Sequence, residues 1–355
     1  MPNASAPPSP WAGVELHVVT GKGGTGKTTV AAALAMALAA EGGRTLLVEV
    51  EGRGGLAQLF DTPPLPYAEK RIAVAPGGGE VYALPIDPEE ALLEYLEMFY
   101  HLGRAGRGLR RLGFVDFVTT IAPGLRDVLL TGKAYEAVGP RRGGRPEYDA
   151  VVMDAPPTGR IAQFLNINTE VAGLAKGGPV HNQAESIMRL LRSERTAVHF
   201  VTVLEEMPVQ ETLDGVAELA AIGLPVGAVL VNMVRTPALP PEALAAARAG
   251  KLDRTSIGAA LRKVGVGADD AQFEGLLDAL LSEAAEHAER VALETVERAD
   301  LLATGRPVLE LPALVEGIDL GALYALGTLL REQGVRRAKE KPAPDTQPEK
   351  PEKKQ

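Results

Sequence analysis

The chain has 355 residues, of which 46% are hydrophobic, and a formal net charge of −9 at pH 7. A chain of this length can bury a substantial core, and its negative charge argues against a stable nucleic-acid complex. Because it has no cysteine, it can form no disulfide, thiolate metal site, iron–sulfur cluster or cysteine nucleophile, and we expect a cytoplasmic protein.

Both ends of the chain have compositions typical of disorder. Residues 1–12 are rich in Pro, Ala and Ser, and residues 337–355 are rich in Lys, Glu and Pro. Such segments bury too little apolar surface to offset the entropy lost on ordering. We therefore expect a disordered N-terminus over 1–12, one domain over 13–336 and a disordered charged tail over 337–355. No stretch is apolar enough for a signal peptide or a membrane span, so membrane contact should be peripheral at most.

Short apolar runs alternate with helical patterns between these ends. Runs of four to eight residues alternating with helices are typical of a mostly parallel, doubly wound α/β sheet flanked by helices. Three helix-rich stretches interrupt the alternation, and we predict helical insertions at about 88–138, 166–194 and 240–283. The strands that we predict cover residues 14–20, 44–50, 80–84, 148–153, 197–204, 227–231 and 307–311.

Residues 21–28, GKGGTGKT, follow the first predicted strand and precede a helical pattern. This is the P-loop pattern G-x-x-x-x-G-K-[ST] in its expected context, which predicts a P-loop NTPase. Its backbone N–H groups and the helix N-terminus can surround phosphate oxygens. We expect Lys27 to neutralise the β and γ phosphates of ATP, and the Thr28 hydroxyl to ligate Mg²⁺. The predicted nucleotide-binding residues of this segment are Gly21, Gly23, Gly24, Thr25, Gly26, Lys27, Thr28 and Thr29.

A carboxylate ends the predicted strand at 148–153, where the sequence reads YDAVVMD. A carboxylate in this position beside a P-loop holds Mg²⁺ or one of its waters. Asp154 is therefore the second predicted metal ligand, together with Thr28. Lys22 is different, because a lysine directly after the first glycine is not needed to hold a phosphate within one subunit. Considered alone, it could be an ordinary surface lysine.

The loop resembles the deviant Walker A class, GKGGxGKT[TS], whose extra lysine reaches the nucleotide across a dimer interface. That resemblance implies that Lys22 acts in catalysis from the opposite subunit, much as an arginine finger does. The protein would then work as a homodimer, or as a heterodimer with a paralogous subunit. Residues 155–160, APPTGR, resemble the DTAPTGH switch of the arsenite-pump and tail-anchored-protein-targeting ATPases. By that resemblance the Gly159 amide senses the γ phosphate, whereas Arg160 replaces the family histidine.

Further stretches within residues 14–333 resemble the same family. The segment LLVEVE at 46–51 resembles its first switch, LLISTDPAHSLSDAF, which implies that Glu51 positions the attacking water. Asn232 stands where the family has an adenine-contacting asparagine, and the segment at 311–317, with Pro312, resembles its adenine loop. The chain is thus identified as a cysteine-free, bacterial-type member of this family. The resemblance implies a Mg²⁺-dependent ATPase whose opening and closing controls an unknown protein client.

Some residues depart from the family pattern. Glu51 is one methylene longer than the family aspartate, and a displacement of about 1 Å at a reacting water can cost about a hundredfold in rate. We therefore expect that hydrolysis could be slow. The helical stretch at 240–283 stands where the targeting factors carry their zinc cysteines. It could hold a dimer together, bind a partner or decorate the surface.

The first two insertions correspond to the hydrophobic groove of the targeting factors. Their apolar rows, which include Leu92 and the 187–191 segment, are too interrupted to shield a whole transmembrane helix of about 20 residues. They could dock a smaller apolar segment or a partner protein, or they could pack the core of the insertions.

Other classes of protein share the GKGGxGKTT loop. The main alternative is a positioning ATPase of the partition or septum-site type, which acts on DNA or membrane surfaces. A metabolic kinase or synthetase with this loop is a further alternative. An electron-transfer reductase of the nitrogenase type is excluded, because its cluster requires cysteines.

Overall fold

The computed structural model describes residues 11–51, 54–100, 123–139, 146–174, 179–266, 270–315 and 317–337. One sheet contains all the strands of these residues, in the order β3-β4-β2-β5-β1-β6-β7-β8. Each neighbouring pair is parallel except β3 with β4. The strands are β1 (Leu16–Gly21), β2 (Arg44–Glu49), β3 (Lys70–Ala75), β4 (Gly79–Pro85), β5 (Ala150–Asp154), β6 (Thr196–Thr202), β7 (Val226–Val234) and β8 (Val308–Pro312).

Helices lie between most of the strands. None of the helices in the described ranges is both long and apolar enough to span a bilayer. They are α1 (Lys27–Ala39), α2 (Gly55–Leu59), α3 (Pro88–Tyr100), α4 (Pro123–Val138), α5 (Thr158–Leu174), α6 (Pro179–Leu191), α7 (Glu206–Ala221), α8 (Pro241–Arg248), α9 (Arg254–Lys263), α10 (Asp270–Ala303) and α11 (Leu320–Glu332).

Both faces of the sheet are buried. In β2, Leu46 and Val48 belong to a core that includes residues of α4, α5 and α6, whereas Leu47 belongs to a core that includes residues of α1 and α11. Successive strand residues point to opposite faces, so a strand covered on both sides is apolar throughout. This arrangement confirms the predicted α/β class, a mostly parallel doubly wound sheet flanked by helices.

The strand β3 was not among the predicted strands. It pairs antiparallel with β4 at one end of the sheet order and begins with exposed Lys70 and Arg71. An edge strand needs few apolar residues and tolerates charges, so the KRIAVA segment lacks the continuous apolar run of the central strands. The seven predicted strands each overlap one of the remaining seven.

The described parts of the predicted insertions are helical. The first contains α3 and α4, and its residues 101–122 lie outside the described ranges. The second overlaps α5, which begins eight residues earlier at Thr158, and the third contains α8, α9 and the start of α10. In α6 the apolar side chains of the second insertion are buried in the core of the domain, which favours packing over docking for this row: Ile187, Met188, Leu190 and Leu191.

Trp11 belongs to the segment 1–12 that we expected to be disordered, yet its side chain is only 2% exposed. Its ring stacks on His199, with ring centroids 4.8 Å apart. Trp11 is therefore part of the folded domain, because its ring makes an aromatic contact that composition alone does not reveal. Arg337, the first residue of the predicted tail, donates to Asp149 at 3.0 Å. Residues 1–10 and 338–355 lie outside the described ranges.

His17 of β1 and His199 of β6 form a buried pair beneath Trp11. The Ala228 amide donates to His199 Nδ1 at 3.0 Å, so His199 carries its hydrogen on Nε2 and donates to His17 Nδ1 at 3.1 Å. Burial lowers the pKa of His17 to about 3. Burial, and then repulsion from His17, lowers the pKa of His199 well below its usual range. Both imidazoles are therefore neutral in the folded protein.

Candidate functional site

The P-loop leaves the middle of the sheet. It follows β1, which lies between β5 and β6, and it leads directly into α1. The parallel strands β1, β2 and β5 to β8 all end on this side, which we call the carboxyl edge. Ligands of open α/β sheets bind outside the carboxyl ends of the strands. The fold therefore brings the predicted site residues to one edge.

Two glycines of the loop are required by close approach. A Cβ atom on Gly21 would lie 2.1 Å from the carbonyl oxygen of Val201, and one on Gly26 would lie 2.4 Å from Nδ2 of Asn232. Gly26 also has φ of 82°, in the left-handed region that favours glycine. The loop thus fits between β6 and β7 only with these two glycines.

The remaining loop residues occupy the positions expected of a phosphate cradle. Gly23 and Gly24 are exposed at the tip, whereas Thr25 is buried and its hydroxyl donates to the carbonyl of Lys22 at 2.9 Å. Lys27 and Thr28 open α1, and Thr29 follows them. The positive end of the α1 dipole therefore lies at the loop.

Thr28 and Asp154 are brought together as predicted. The Thr28 hydroxyl donates to Oδ2 of Asp154 at 2.7 Å. Asp154 is 7% exposed, and its Oδ1 is buried with no hydrogen-bond partner among the described residues. Burial raises the pKa of Asp154 to about 6, against the hydrogen bond from Thr28 and the charge of Lys27, which both lower it. An unsatisfied buried carboxylate oxygen is costly unless a ligand completes it.

These two residues fit a magnesium ion. Hydroxyl and carboxylate oxygens are its preferred ligands, and Mg²⁺ is usually held by one or two carboxylates together with substrate phosphates and water. In the described ranges no group of three or more His, Asp or Glu residues could hold a metal by itself. A nucleotide would have to supply the remaining ligands.

Glu49 is a site residue that the sequence analysis missed. It ends β2 in register with Asp154, the end of β5, and it is 4% exposed. Its Oε1 accepts the amide of Gly55 at 2.9 Å. Burial raises the pKa of Glu49, opposed by backbone hydrogen bonds from Gly55 and Leu56. The sequence could have indicated Glu49 by its position, because the two adjacent parallel strands β2 and β5 both end in carboxylates.

Glu51 lies two residues beyond Glu49 and is partly exposed. It borders a cleft of about 700 Å³, which Asp87, Glu90 and Arg126 also line. Repulsion from Glu51 is the smallest of the factors that raise the pKa of Asp154. Glu51 therefore lies at the carboxyl edge, just beyond the end of β2.

Residues 155–160 connect β5 to α5 and contact α4. Gly159 is the second residue of α5 and is exposed at the carboxyl edge. Its neighbour Arg160, which replaces the family histidine, lies 3.5 Å from the buried carboxylate of Asp127 in α4. Thr20, at the end of β1, donates to the carbonyl of Pro156 at 2.7 Å. The segment is thus anchored to the P-loop strand at its start and to α4 at Arg160.

The two predicted adenine contacts lie at the ends of neighbouring strands. Asn232 is buried near the end of β7, and its Nδ2 donates to the carbonyl of Thr25 at 3.0 Å. Pro312 ends β8 opposite Val234 of β7. Asn232 therefore supports the loop backbone directly, a contact that the sequence did not reveal. Contact of either residue with adenine stays a prediction.

Lys22 faces α7 of its own chain. Its Nζ lies 2.7 Å from Oε1 of Glu211, and both side chains are partly exposed. Lys27 has different surroundings, because its positive charge lowers the pKa of Asp154.

Comparison with known proteins gives a consistent picture. The profile of the anion-transporting ATPase family matches residues 14–192. The chain is 56% identical to ATPase BagA of Mycobacterium tuberculosis over 330 residues, which cover 93% of this chain and 96% of that protein. It is 29% identical to an arsenical pump-driving ATPase of Acidiphilium multivorum over 234 residues, 61% of this chain and 38% of that protein. It is 28% identical to ATPase get3 of Schizosaccharomyces pombe over 185 residues, 50% of this chain and 53% of that protein.

Proposed function

The chain belongs to the anion-transporting ATPase family, and from that premise we propose that it binds Mg²⁺-ATP on the loop at 21–28 and hydrolyses it as a dimer. Opening and closing of the dimer with the nucleotide would control a protein client. The observation that carries the proposal is the Thr28 to Asp154 hydrogen bond of 2.7 Å beside the P-loop, with Oδ1 of Asp154 buried and unsatisfied.

Each part of the site has a role in this reaction. Backbone N–H groups of the loop and Lys27 hold the phosphates, and Thr28 and Asp154 hold the metal. Bound Mg²⁺ supplies neutralisation of the negative charge on the β and γ phosphates. Glu51 orients the attacking water. Its side chain is one methylene longer than the aspartate of the family switch, so we expect slow turnover.

The proposed dimer rests on Lys22 and on exposed apolar side chains of the carboxyl edge. Met233 lies near the end of β7, whereas Met207 and Val315 follow β6 and β8, and all three are exposed. Exposed apolar groups near a functional site are typical of interaction surfaces. A second subunit that covers this edge would bring its own Lys22 to the nucleotide. The partner is a second copy of the chain or a paralogous subunit.

The client is proposed to be a protein and not a metalloid ion. Soft metalloids bind through thiolates, and the chain has no cysteine. A groove built from the row at 187–191 is disfavoured, because that row is packed in the core. The third insertion, which contains α8 and α9, is a candidate surface for the client.

ATP turnover measured against protein concentration tests the proposal. Turnover per subunit should rise with concentration and require Mg²⁺, and light scattering should detect a dimer with ATP that is lost with ADP. The Lys27→Ala variant is the control for contaminating ATPases. Turnover independent of concentration, by a protein that stays monomeric with ATP, would contradict the dimer. Turnover equal in the control would contradict the site.

The client can be identified because it should stay bound to the protein during purification in ATP. We would purify tagged Glu51→Gln protein from the native cytosol in ATP and compare it with the Lys27→Ala protein. A client under nucleotide control should be present in the first preparation and absent from the second. Co-sedimentation with DNA and with liposomes tests the alternative, a positioning ATPase that acts on DNA or membrane surfaces.

A further inference from the structure

Glu49 is placed to fix the start of α2 beside the P-loop. It is the last residue of β2, and its neighbours across the sheet are Asp154 on one side and Pro85 on the other. Parallel strands lie about 4.8 Å apart, so Glu49 and Asp154 end side by side at the carboxyl edge. A buried carboxylate must be hydrogen-bonded to be tolerated there.

The carboxylate of Glu49 is satisfied by the start of α2. Its Oε1 accepts the amide of Gly55 at 2.9 Å, and the amide of Leu56 also donates to the carboxylate. Gly54, the residue before α2, has no side chain that could cap the helix. Free amides at a helix start need such an acceptor. Glu49 therefore replaces the missing cap from the neighbouring strand.

The start of α2 also lies beside Thr28, one of the two predicted metal ligands. A Cβ atom on Gly55 would lie 3.4 Å from Cγ2 of Thr28 and 3.6 Å from Oε1 of Glu49. Gly55 therefore approaches both side chains closely, and Glu49 fixes its position by accepting its amide.

We propose that Glu49 is a positioning residue for ATP hydrolysis, which holds the start of α2 beside Thr28 by accepting the amides of Gly55 and Leu56. The inference rests on the proposed function and extends it to a residue outside the P-loop. In this arrangement Oε1 of Glu49 accepts the amide of Gly55. The property that matters is the acceptor oxygen and not the negative charge.

Three variants separate these properties. Glu49→Ala removes the acceptor, Glu49→Gln keeps an acceptor oxygen without the charge, and Glu51→Gln is the control at the water-orienting position. We expect Glu49→Ala to lower kcat about 10- to 100-fold while the Kd for ATP changes less than about threefold. Glu49→Gln should recover kcat to within about threefold of the parent. Glu51→Gln should have a kcat well below that of the parent.

Hydrogen exchange of the peptide 49–57 provides a readout that does not depend on turnover. The Gly55 and Leu56 amides should lose protection in Glu49→Ala and keep it in Glu49→Gln and Glu51→Gln. Circular dichroism and ADP binding establish that each variant is folded.

Four outcomes would overturn the inference. They are parental kcat in Glu49→Ala, unchanged protection in that variant, equally slow Glu49→Ala and Glu49→Gln, and a Glu49→Gln rate that returns only at raised Mg²⁺, as expected of a metal ligand. A parent without Mg²⁺-dependent turnover would instead overturn the proposed function. The exchange comparison alone would then decide whether Glu49 holds the start of α2.

Discussion

Lys22 and Glu211 form an ion pair within one chain, with Nζ of Lys22 2.7 Å from Oε1 of Glu211. The two side chains are 30% and 37% exposed, so water screens the pair and its contribution is about 0–1 kcal/mol. A lysine held this weakly can leave its carboxylate for a phosphate of a second subunit. The pair thus holds Lys22 near the loop without trapping it.

The first prediction concerns this pair. Lys22→Ala should still bind nucleotide but lose ATP-dependent dimerisation and hydrolysis, because the lysine acts across the interface. Glu211→Gln should release Lys22 and lower the protein concentration for half dimerisation by up to about fivefold. Sedimentation velocity with Mg²⁺-ATP measures both. Glu15→Gln, which breaks the exposed Arg195 to Glu15 pair, is the matched control and should leave dimerisation unchanged. Parental hydrolysis by Lys22→Ala would disprove the role.

Lys27→Ala should abolish tight ATP binding. The substitution removes the positive charge at the β and γ phosphates while these anions still need neutralisation, and we expect the Kd to rise about a hundredfold or more. Isothermal titration calorimetry measures this directly, with Lys22→Ala as the control that keeps affinity. Unchanged affinity in Lys27→Ala would place the nucleotide elsewhere.

Substitutions at Glu51 should separate binding from turnover. Glu51→Gln is expected to retain ATP and accumulate the closed dimer, because an amide cannot orient the water as a carboxylate does. Glu51→Asp should turn over faster than the parent, since it restores the shorter reach of the family switch. Single-turnover kinetics measure both rates. If all three forms hydrolyse ATP equally fast, another residue orients the water.

The buried pair of His17 and His199 predicts a specific pH dependence of stability. In the unfolded chain each histidine titrates near 6.5, whereas in the folded chain both pKa values are lowered, that of His17 to about 3. The unfolded state therefore binds more protons below pH 6.5. The free energy of unfolding should be insensitive to the pair above that pH and fall below it. The loss should be about 1.4 kcal/mol per pH unit for each histidine.

Urea unfolding at pH 7.5 and pH 5.0 tests this linkage. Glu and Asp residues also contribute to the parental pH dependence, so the comparison is made with variants. His199→Gln removes one buried imidazole and should reduce the stability lost between the two pH values by about 2 kcal/mol. His181→Gln, a substitution in α6 outside the pair, should lose as much as the parent. A His199→Gln protein with the parental loss would show that the pair does not control acid stability.

Arsenite and antimonite should not stimulate ATP turnover. Both bind thiolates, and the chain contains none. The test is a titration of each oxyanion at fixed ATP, with the purified chain alone and then with any subunit that copurifies. Saturable stimulation of the chain alone would contradict the prediction. Stimulation only in the mixture would assign the thiolates to the other subunit.

Residues in the P-loop were predictable because they are consecutive in the sequence and form one short motif. The loop needs glycines at fixed spacing, and Asp154 follows an apolar strand in the expected place. Glu49 was not predicted, because the sequence LLVEVE does not show that this carboxylate lies beside Asp154 in the folded sheet. The edge strand β3 was missed for a related reason, because half of it faces solvent.

Aromatic stacking explains why the burial of Trp11 was also missed. Trp11 stands in a segment whose composition indicates disorder, and its partners His17 and His199 lie on two different strands, β1 and β6. The family resemblance placed Asn232 at the carboxyl edge, but its hydrogen bond to Thr25 depends on the close approach of β7 to the loop. Contacts between strands thus account for what the sequence did not reveal.

The Trp11 stack and the Arg337 contact with Asp149 have a practical consequence for attaching the protein to a surface. Trp11 precedes β1, and Asp149 accepts the backbone amide of Arg44, where β2 begins. Both fixed ends therefore leave the sheet opposite the P-loop, separated from it by the six residues of β1, a length of about 20 Å. Labels coupled to exposed positions beside Trp11 or Arg337, within the described residues, should leave the nucleotide face unobstructed for single-molecule measurements of opening and closing.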